Sequence, residues 1–164
     1  MRNMAFLALV CLVTVISISC ASAPIQRQQN EDTKVLVRAK ELIDAMSHRD
    51  FGKVWDMATP WHRQELSHDG SREGYVKWVS KFFEHVKVTD YGSLKLVVLG
   101  EKHAITQMEM TYEFREGDQV LSLIKCERTI WLKSPDEWYW TYTALSCDYM
   151  PDANMIESLT KEVR

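Results

Sequence analysis

Three long runs of strand-forming residues between Ala104 and Tyr149 constrain this chain more than any other feature. Two turn signals, Arg115-Glu116-Gly117-Asp118 and Ser134-Pro135-Asp136-Glu137, separate the runs. Short turns join strands that run in opposite directions, so this order predicts an antiparallel meander. The residues before Ala104 must then supply elements that cover one face of the sheet.

The first run alternates cleanly, which predicts a strand with one buried and one wet face. Even-numbered residues of Ala104–Phe114 form the apolar face, and odd-numbered residues form the polar face. Gly117 predicts a three-residue hairpin with a bulge, and this turn would place even-numbered residues of the next strand on the same apolar face. Arg128 then lies among apolar side chains. We expect it to pair with a carboxylate, Asp56 or Asp148, or to face an anionic ligand.

Cys126 and Cys147 are an even pair within the strand region, and in an exported domain such a pair indicates a disulfide. The turn at Ser134–Glu137 allows a four-residue or a five-residue loop. The four-residue loop places Cys126 opposite Leu145, with Cys147 as its diagonal neighbour, and a bulge would bring the two together. The five-residue loop places the cysteines on opposite faces, as two buried thiols.

Before the strands, the apolar residues recur with a helical period. A first helix is predicted from Thr33 to Met46, and Asp50 is the expected N-cap of a short second one. The chain restarts at Thr59-Pro60, where proline suits the first helical position. Ser71 is the expected cap of a third helix, whose apolar stripe continues to Val86.

These helical stripes are rich in aromatic residues, whose usual role is core packing. A cavity between the third helix and the sheet is the alternative, since large aromatics also line ligand sites. The residues that would line such a pocket are Trp55, Tyr75, Trp78, Phe82, Met108, Met110, Tyr112, Arg128, Trp140 and Tyr142.

The N-terminus has the three parts of a secretory signal. Arg2 supplies the positive charge, and Ala5–Ile18 is an apolar run too short to span a bilayer. The residues up to Cys20 resemble a bacterial lipobox, which implies acylation of this cysteine, for example with palmitate. Ordinary cleavage after Ala21 or Ala23 is the alternative.

The chain is expected to divide into four segments. Residues 1–19 form a lipoprotein-type signal peptide, residues 20–33 a polar tether, residues 34–150 the folded domain, and residues 151–164 a tail with a short helix. The net charge of −3, with no basic run, argues against nucleic acid as a partner.

The outline of residues Lys34–Tyr149 resembles the NTF2-like (SnoaL-like) superfamily. The resemblance rests on the opening helix followed by Asp50-Phe51, on Gly100–Ala104 between two strands, and on the late Asp136–Trp140 hairpin. It implies an α+β cone in which three N-terminal helices pack on a curved antiparallel sheet of about four strands. The superfamily includes isomerases, dehydratases, ligand binders and interaction domains, so the fold alone does not decide the function.

We therefore expect an exported, lipid-anchored binding or interaction module of the cell envelope. If the source has two membranes, Ala21 after the cysteine indicates the periplasmic side of the outer membrane. The expected partners are the membrane through the lipid, and either a small apolar or anionic ligand in the cone or an envelope protein. A homodimer through the sheet face is a further expectation.

An isomerase or dehydratase that uses Tyr112, Tyr142 and either Asp56 or Asp148 is the alternative function. No catalytic residue stands out, because Glu109, Glu113 and Glu127 fall on the predicted wet face. The histidines form no recognised metal spacing, and we expect neither a metal nor a cofactor.

Overall fold

The computed structural model describes residues 23–67, 69–135 and 137–162. The predicted signal peptide and the lipidation site Cys20 lie outside the described residues. The chain divides into two units, with the boundary between Thr33 and Lys34. No helix in the described ranges combines the length and the apolar character needed to cross a membrane.

Within the described residues, four helices precede the sheet, where the sequence predicts three. They are α1 (Ala23–Ser47), α2 (Phe51–Asp56), α3 (Pro60–Leu66) and α4 (Arg72–Phe82). The restart at Thr59-Pro60 yields a separate helix, and α1 begins ten residues before the predicted start at Thr33. Asp50 and Ser71 cap α2 and α4, as predicted, by accepting bonds from the Lys53 and Gly74 backbone N–H groups.

The sheet is antiparallel and has five strands instead of about four. Its strands are β1 (Val86–Tyr91), β2 (Lys95–Leu99), β3 (His103–Glu116), β4 (Gln119–Lys133) and β5 (Trp138–Ser146). Both β1 and β2 pair with one edge of β3, β4 pairs with its other edge, and β5 lies beyond β4. Helix α4 ends at Phe82, so Val86 opens a strand and does not continue the helical stripe.

The register between β3 and β4 differs from the predicted one. Glu116 pairs with Gln119, so Gly117-Asp118 forms a two-residue turn with Gly117 at a φ of 60°. This turn is one residue shorter than predicted, and such a change moves every β4 side chain to the other face. Glu127 therefore pairs with Met108 on the inner, helix-covered face, and Arg128 lies on the outer face.

The pairing of β4 with β5 begins in the register of the four-residue loop and then shifts twice. Lys133 pairs with Trp138, whereas Glu127 pairs with Ser146 after irregularities between Arg128 and Trp131. The shifts bring Cys126 and Cys147 together, and their sulfur atoms are bonded with the Cα atoms 5.5 Å apart. With the four-residue loop, the sequence predicted that a bulge would be needed to bring the two cysteines together, and the shifts in register do this.

Helices cover parts of both faces of the sheet. On the inner face, Trp131 and Trp140 lie in the core, and their indole N–H groups donate to Thr106 Oγ1 at 2.8 Å and to the Val54 carbonyl at 2.9 Å. On the outer face, helix α5 (Ala153–Glu162) packs Ile156 and Leu159 against Ile130 and Leu132. The outer face predicted for a homodimer is therefore covered by α5 over the second half of β4.

Candidate functional site

A cavity of about 450 Å³ lies between helix α4 and the inner face of the sheet. Its volume falls in the range of about 300–1,000 Å³ that small-molecule sites occupy. Most of the wall is aromatic or aliphatic. The lining residues are Met46, Phe51, Val54, His62, Leu66, Tyr75, Trp78, Val79, Phe82, Phe83, Val86, Tyr112, Phe114, Lys125, Glu127, Trp140, Tyr142 and Thr143.

Helix α4 supplies one wall because its apolar residues recur with the helical period. Tyr75 and Val79 are buried, and burial raises the pKa of the Tyr75 phenol to about 12. Trp78 and Phe82 line the same cavity but are 61% and 60% exposed. Large side chains that are both cavity-lining and exposed mark the rim, where an entering apolar molecule would make its first contacts.

The sheet supplies a polar group to this apolar wall. Glu127 is buried on the inner face of β4, and burial raises the pKa of its carboxyl, although the Tyr112 hydroxyl and the Lys125 ammonium act in the opposite direction. Burial and the neighbouring Glu127 raise the pKa of Tyr112 as well. The Tyr112 hydroxyl also lies 3.5 Å from Met110 Sδ, to which it can donate. Low solvation thus favours the neutral form of both groups.

His62 adds a second titratable group, from helix α3. Its ring centroid lies 5.3 Å from that of Trp140 and 5.1 Å from that of Tyr142. The buried Nδ1 atom lies 3.5 Å from Glu65 Oε2. Burial lowers the pKa of His62, and Glu65 opposes this effect only in part. A neutral imidazole is the form that this environment favours.

A protonated carboxyl, a phenol and an imidazole can each donate or accept a hydrogen bond. In an apolar cavity they can orient an uncharged polar group, and a carboxyl with a raised pKa is also suited to exchange a proton with a bound molecule. Among the described residues, no group of three or more His, Cys, Asp or Glu side chains could hold a metal ion.

The structure brings six of the predicted pocket residues to the cavity: Tyr75, Trp78, Phe82, Tyr112, Trp140 and Tyr142. Trp55 lies behind the wall, with its ring centroid 5.2 Å from that of Tyr75. Met108 and Met110 are buried in a separate cluster around Ile43. They point to the helix-covered face as predicted, but both are buried in the core and neither lines the cavity.

The prediction that Arg128 lies in the pocket is wrong. Its Nε atom donates to Gln107 Oε1 at 3.0 Å and its Nη1 to the Tyr149 carbonyl at 2.8 Å, both on the outer side of the sheet. The carboxylates expected to pair with it lie elsewhere. Asp56 is 3.2 Å from Arg72 Nε, and Asp148 is an exposed residue whose carboxylate lies 3.4 Å from the Ser146 hydroxyl. Neither aspartate lines the cavity.

Sequence reasoning missed Glu127 as a site residue, although a signal for it exists. Gly117-Asp118 between two alternating runs is a two-residue hairpin signal, and that turn pairs odd-numbered with even-numbered residues. The choice of the longer turn put Glu127 on the wet face. His62 was not named as a pocket residue, because helical periodicity does not indicate which side the sheet covers.

No protein-family model and no curated protein sequence matches the chain. Solved structures do match. A ketosteroid isomerase-like protein from Erwinia carotovora atroseptica aligns with a TM-score of 0.53 at 17% identity, over 69% of this chain and 92% of that one. An NTF2-like protein with a cystatin-like fold from Novosphingobium aromaticivorans aligns with a TM-score of 0.53 at 8% identity, over 84% and 94%.

A third similar structure is a candidate dehydratase of the NTF2-like family from Streptomyces avermitilis. It aligns with a TM-score of 0.51 at 13% identity, over 71% of this chain and 94% of that one. At such identities the similarity is one of fold, and function has to be argued from the cavity itself.

Proposed function

We propose that this chain, which has the NTF2-like fold, binds a small and largely apolar molecule in the cavity between helix α4 and the sheet. The observation that carries the proposal is the cavity of about 450 Å³, with apolar walls and the buried Glu127 among its lining residues. Apolar walls with few polar groups are typical of sites that bind by burial and orient by hydrogen bonds.

The expected ligand carries an uncharged polar group. Burial raises the pKa of Glu127 and so favours its neutral form, which can donate a hydrogen bond to a carbonyl or hydroxyl oxygen. Arg128, the cation that the sequence placed in the pocket, lies on the outer face, and Lys125 is the lysine among the lining residues. Because most of the wall is apolar and the burial of a charged group is costly, we favour a neutral ligand over the anionic one that the sequence left open.

Binding can be tested with N-phenyl-1-naphthylamine, a neutral apolar fluorophore whose emission rises in apolar surroundings. The double variant W78A/F82A removes apolar area from the rim and should weaken binding by at least about tenfold, because each large side chain contributes its buried area to affinity. The control variant V97A truncates another exposed apolar residue, one that does not line the cavity. Equal affinities in all three proteins would contradict binding in this cavity.

The natural ligand requires the native source. We expect that the protein purified from its own membranes, extracted with solvent and analysed by mass spectrometry, carries an apolar small molecule. The W78A/F82A variant purified in parallel should carry less of it. An empty wild-type protein would count against a resident ligand.

We also propose that the chain is exported and held in the cell envelope by lipid on Cys20. Arg2, the apolar run Ala5–Ile18 and the small residues before the cysteine support this. Mass spectrometry of the mature N-terminus tests it. An acylated start at Cys20 that the variant C20S loses is the expected result, and an unmodified start at Ala21 or later would contradict it.

A second candidate function, proton transfer within a bound ketone, rests on one observation. Glu127 is a buried carboxyl with a raised pKa beside Tyr112, an arrangement suited to a general base with a hydrogen-bond donor. The test is deuterium uptake from D₂O into a cyclic β,γ-unsaturated ketone, followed by NMR. E127Q should slow uptake by about 100-fold or more, and E109Q, at an exposed glutamate, should not. No uptake by the wild type would leave ligand binding alone.

A further inference from the structure

One edge of the sheet is left open along the first half of β4. Strand β5 pairs with β4 only from Glu127 to Lys133, and the Cys147 N–H donates to the Cys126 carbonyl at 3.3 Å beyond that pairing. In residues 23–67, 69–135 and 137–162, no strand pairs with Gln119–Lys125 on this side. All seven of these residues are exposed.

The backbone of this segment is ready to pair. Alternate residues of a strand direct their N–H and C=O groups to opposite edges, and the pairing of β3 with β4 has no irregularity. The Cys126 carbonyl faces the β5 side. Val120, Ser122 and Ile124 therefore direct their backbone groups to the same open edge.

The segment lacks the devices that usually protect a sheet edge. It contains no proline and no bulge, and Lys125 at its end is its one charged residue. Instead it exposes apolar side chains on both faces. Val120 and Ile124 are 56% and 68% exposed on the outer face, and Leu121 and Leu123 are 52% and 42% exposed on the inner face.

The order of these residues is nearly palindromic. Gln119-Val120-Leu121-Ser122-Leu123-Ile124-Lys125 reads polar, β-branched, leucine, serine, leucine, β-branched, polar. When such a strand pairs antiparallel with its own copy about Ser122, each residue meets its own kind. Val120 faces Ile124, Leu121 faces Leu123, and Lys125 faces the neutral Gln119, so no like charges oppose each other.

We infer that a second copy of this chain pairs with the open edge of β4, antiparallel and centred on Ser122, to give a two-fold symmetric dimer. In this register Val120 lies opposite Ile124 of the other copy, and the two Ser122 residues lie opposite each other. These are the residues whose backbone groups face the open edge, as a hydrogen-bonded antiparallel pair requires. Cys126, already joined to Cys147, stays outside the pairing. The inference does not depend on what the cavity binds.

Sedimentation equilibrium of the full chain in a non-ionic detergent, over a wide range of protein concentration, tests the dimer. The variant S122P is the sharpest single change. Proline removes the Ser122 N–H, which faces the open edge and not β3, and proline is tolerated on such an edge. We expect a dimer in the wild type and at least about a tenfold weaker association in S122P.

The register has its own test, which does not depend on how the hairpin tolerates proline. V120K alone and I124E alone should each weaken the dimer, because each puts one charge opposite an apolar residue. The double variant V120K/I124E should recover affinity, because the new lysine of one copy then faces the new glutamate of the other. V97K, which puts a charge on β2, is the matched control and should leave association unchanged.

Three outcomes would overturn the inference. They are a wild type that sediments as a monomer at every concentration, a dimer that S122P and V120K leave unchanged, or a double variant no tighter than the weaker single variant. A monomer whose edge captures an extended peptide of another protein falls under the first outcome.

Discussion

Both halves of strand β4 pair with β3, but they differ in how far their side chains are exposed and in which elements cover them. Strand β3 pairs with both halves without interruption. Gln119–Lys125 is exposed at every residue, whereas Thr129–Leu132 is buried at every residue. The difference arises because β5, α5 and the N-terminal helices cover the second half only.

This contrast shows that strand-forming residues and burial are separate properties. The cavity lies where the two halves meet, with Lys125 and Glu127 on its wall and the Cys126–Cys147 bond between these two positions. If the boundary is sharp, matched substitutions in the two halves of β4 should change the free energy of unfolding by very different amounts.

The largest expected effect comes from a matched pair of isoleucines on the outer face. Ile130 is fully buried and Ile124 is 68% exposed, six residues apart on one strand. I130A should lower the free energy of unfolding by about 2–5 kcal/mol, the usual cost of a buried isoleucine. I124A should change it by less than about 0.5 kcal/mol in dilute protein. Urea unfolding measures both, and equal losses would break the comparison.

The next effect concerns the disulfide at the boundary. The double variant C126S/C147S opens a loop with a sequence separation of 21 residues and should lower the free energy of unfolding by about 3 kcal/mol, mainly through the unfolded chain. Reduction of the wild type with dithiothreitol, followed by urea unfolding, gives the same comparison without mutation. A loss much below about 1 kcal/mol would show that pairing with β5 alone holds this end of β4.

The elements that local chemistry decides were predictable from the sequence. The three strand runs, the turn at Ser134–Glu137 and the caps Asp50 and Ser71 follow from residues close together in the chain. The NTF2-like fold was also expected, and the similar solved structures confirm it. Six aromatic residues of the cavity were named because helical and strand periodicity places them on the apolar faces of their elements.

The register was not predictable from periodicity, and the polar part of the site depends on it. A turn of two residues instead of three exchanges Glu127 and Arg128 between the faces of β4, and both turns suit Gly117. Strand β1 was not predicted as a sheet member, because the apolar stripe of the third helix was expected to continue to Val86, where this strand begins. Pairing between distant segments decides these features.

A smaller effect is the pH dependence that Glu127 contributes. Its pKa is raised in the folded protein above the ordinary value of 4.5, so the folded state holds this proton more tightly than the unfolded state. The associated stability is fully present below the ordinary pKa and is lost as the pH rises through the raised one. E127Q should therefore gain stability relative to the wild type as the pH rises above 4.5.

Thermal unfolding at several pH values measures this gain. E109Q, at an exposed glutamate on β3, is the matched control and should follow the wild type. A constant difference between E127Q and the wild type at all pH values would mean that Glu127 is solvated and does not belong to the covered half of β4.

The smallest effect, and the one of opposite sign, comes from His62 across the cavity. Burial lowers its pKa below the ordinary 6.5, and Glu65 partly offsets the shift. The unfolded chain therefore takes up this proton first, so stability is present above pH 6.5 and is lost as the pH falls through the lowered pKa.

H62F keeps a ring beside Trp140 and removes the titration, so it should lose less stability than the wild type on acidification, while H85F, at an exposed histidine, should not differ. The double variant E127Q/H62F then lacks both slopes, and its unfolding temperature should depend on pH less than that of either single variant. Single variants E127Q and H62F that both follow the wild type at every pH would show that neither group senses the low-dielectric interior of the cavity. The boundary in β4 would then divide side-chain packing but not solvation.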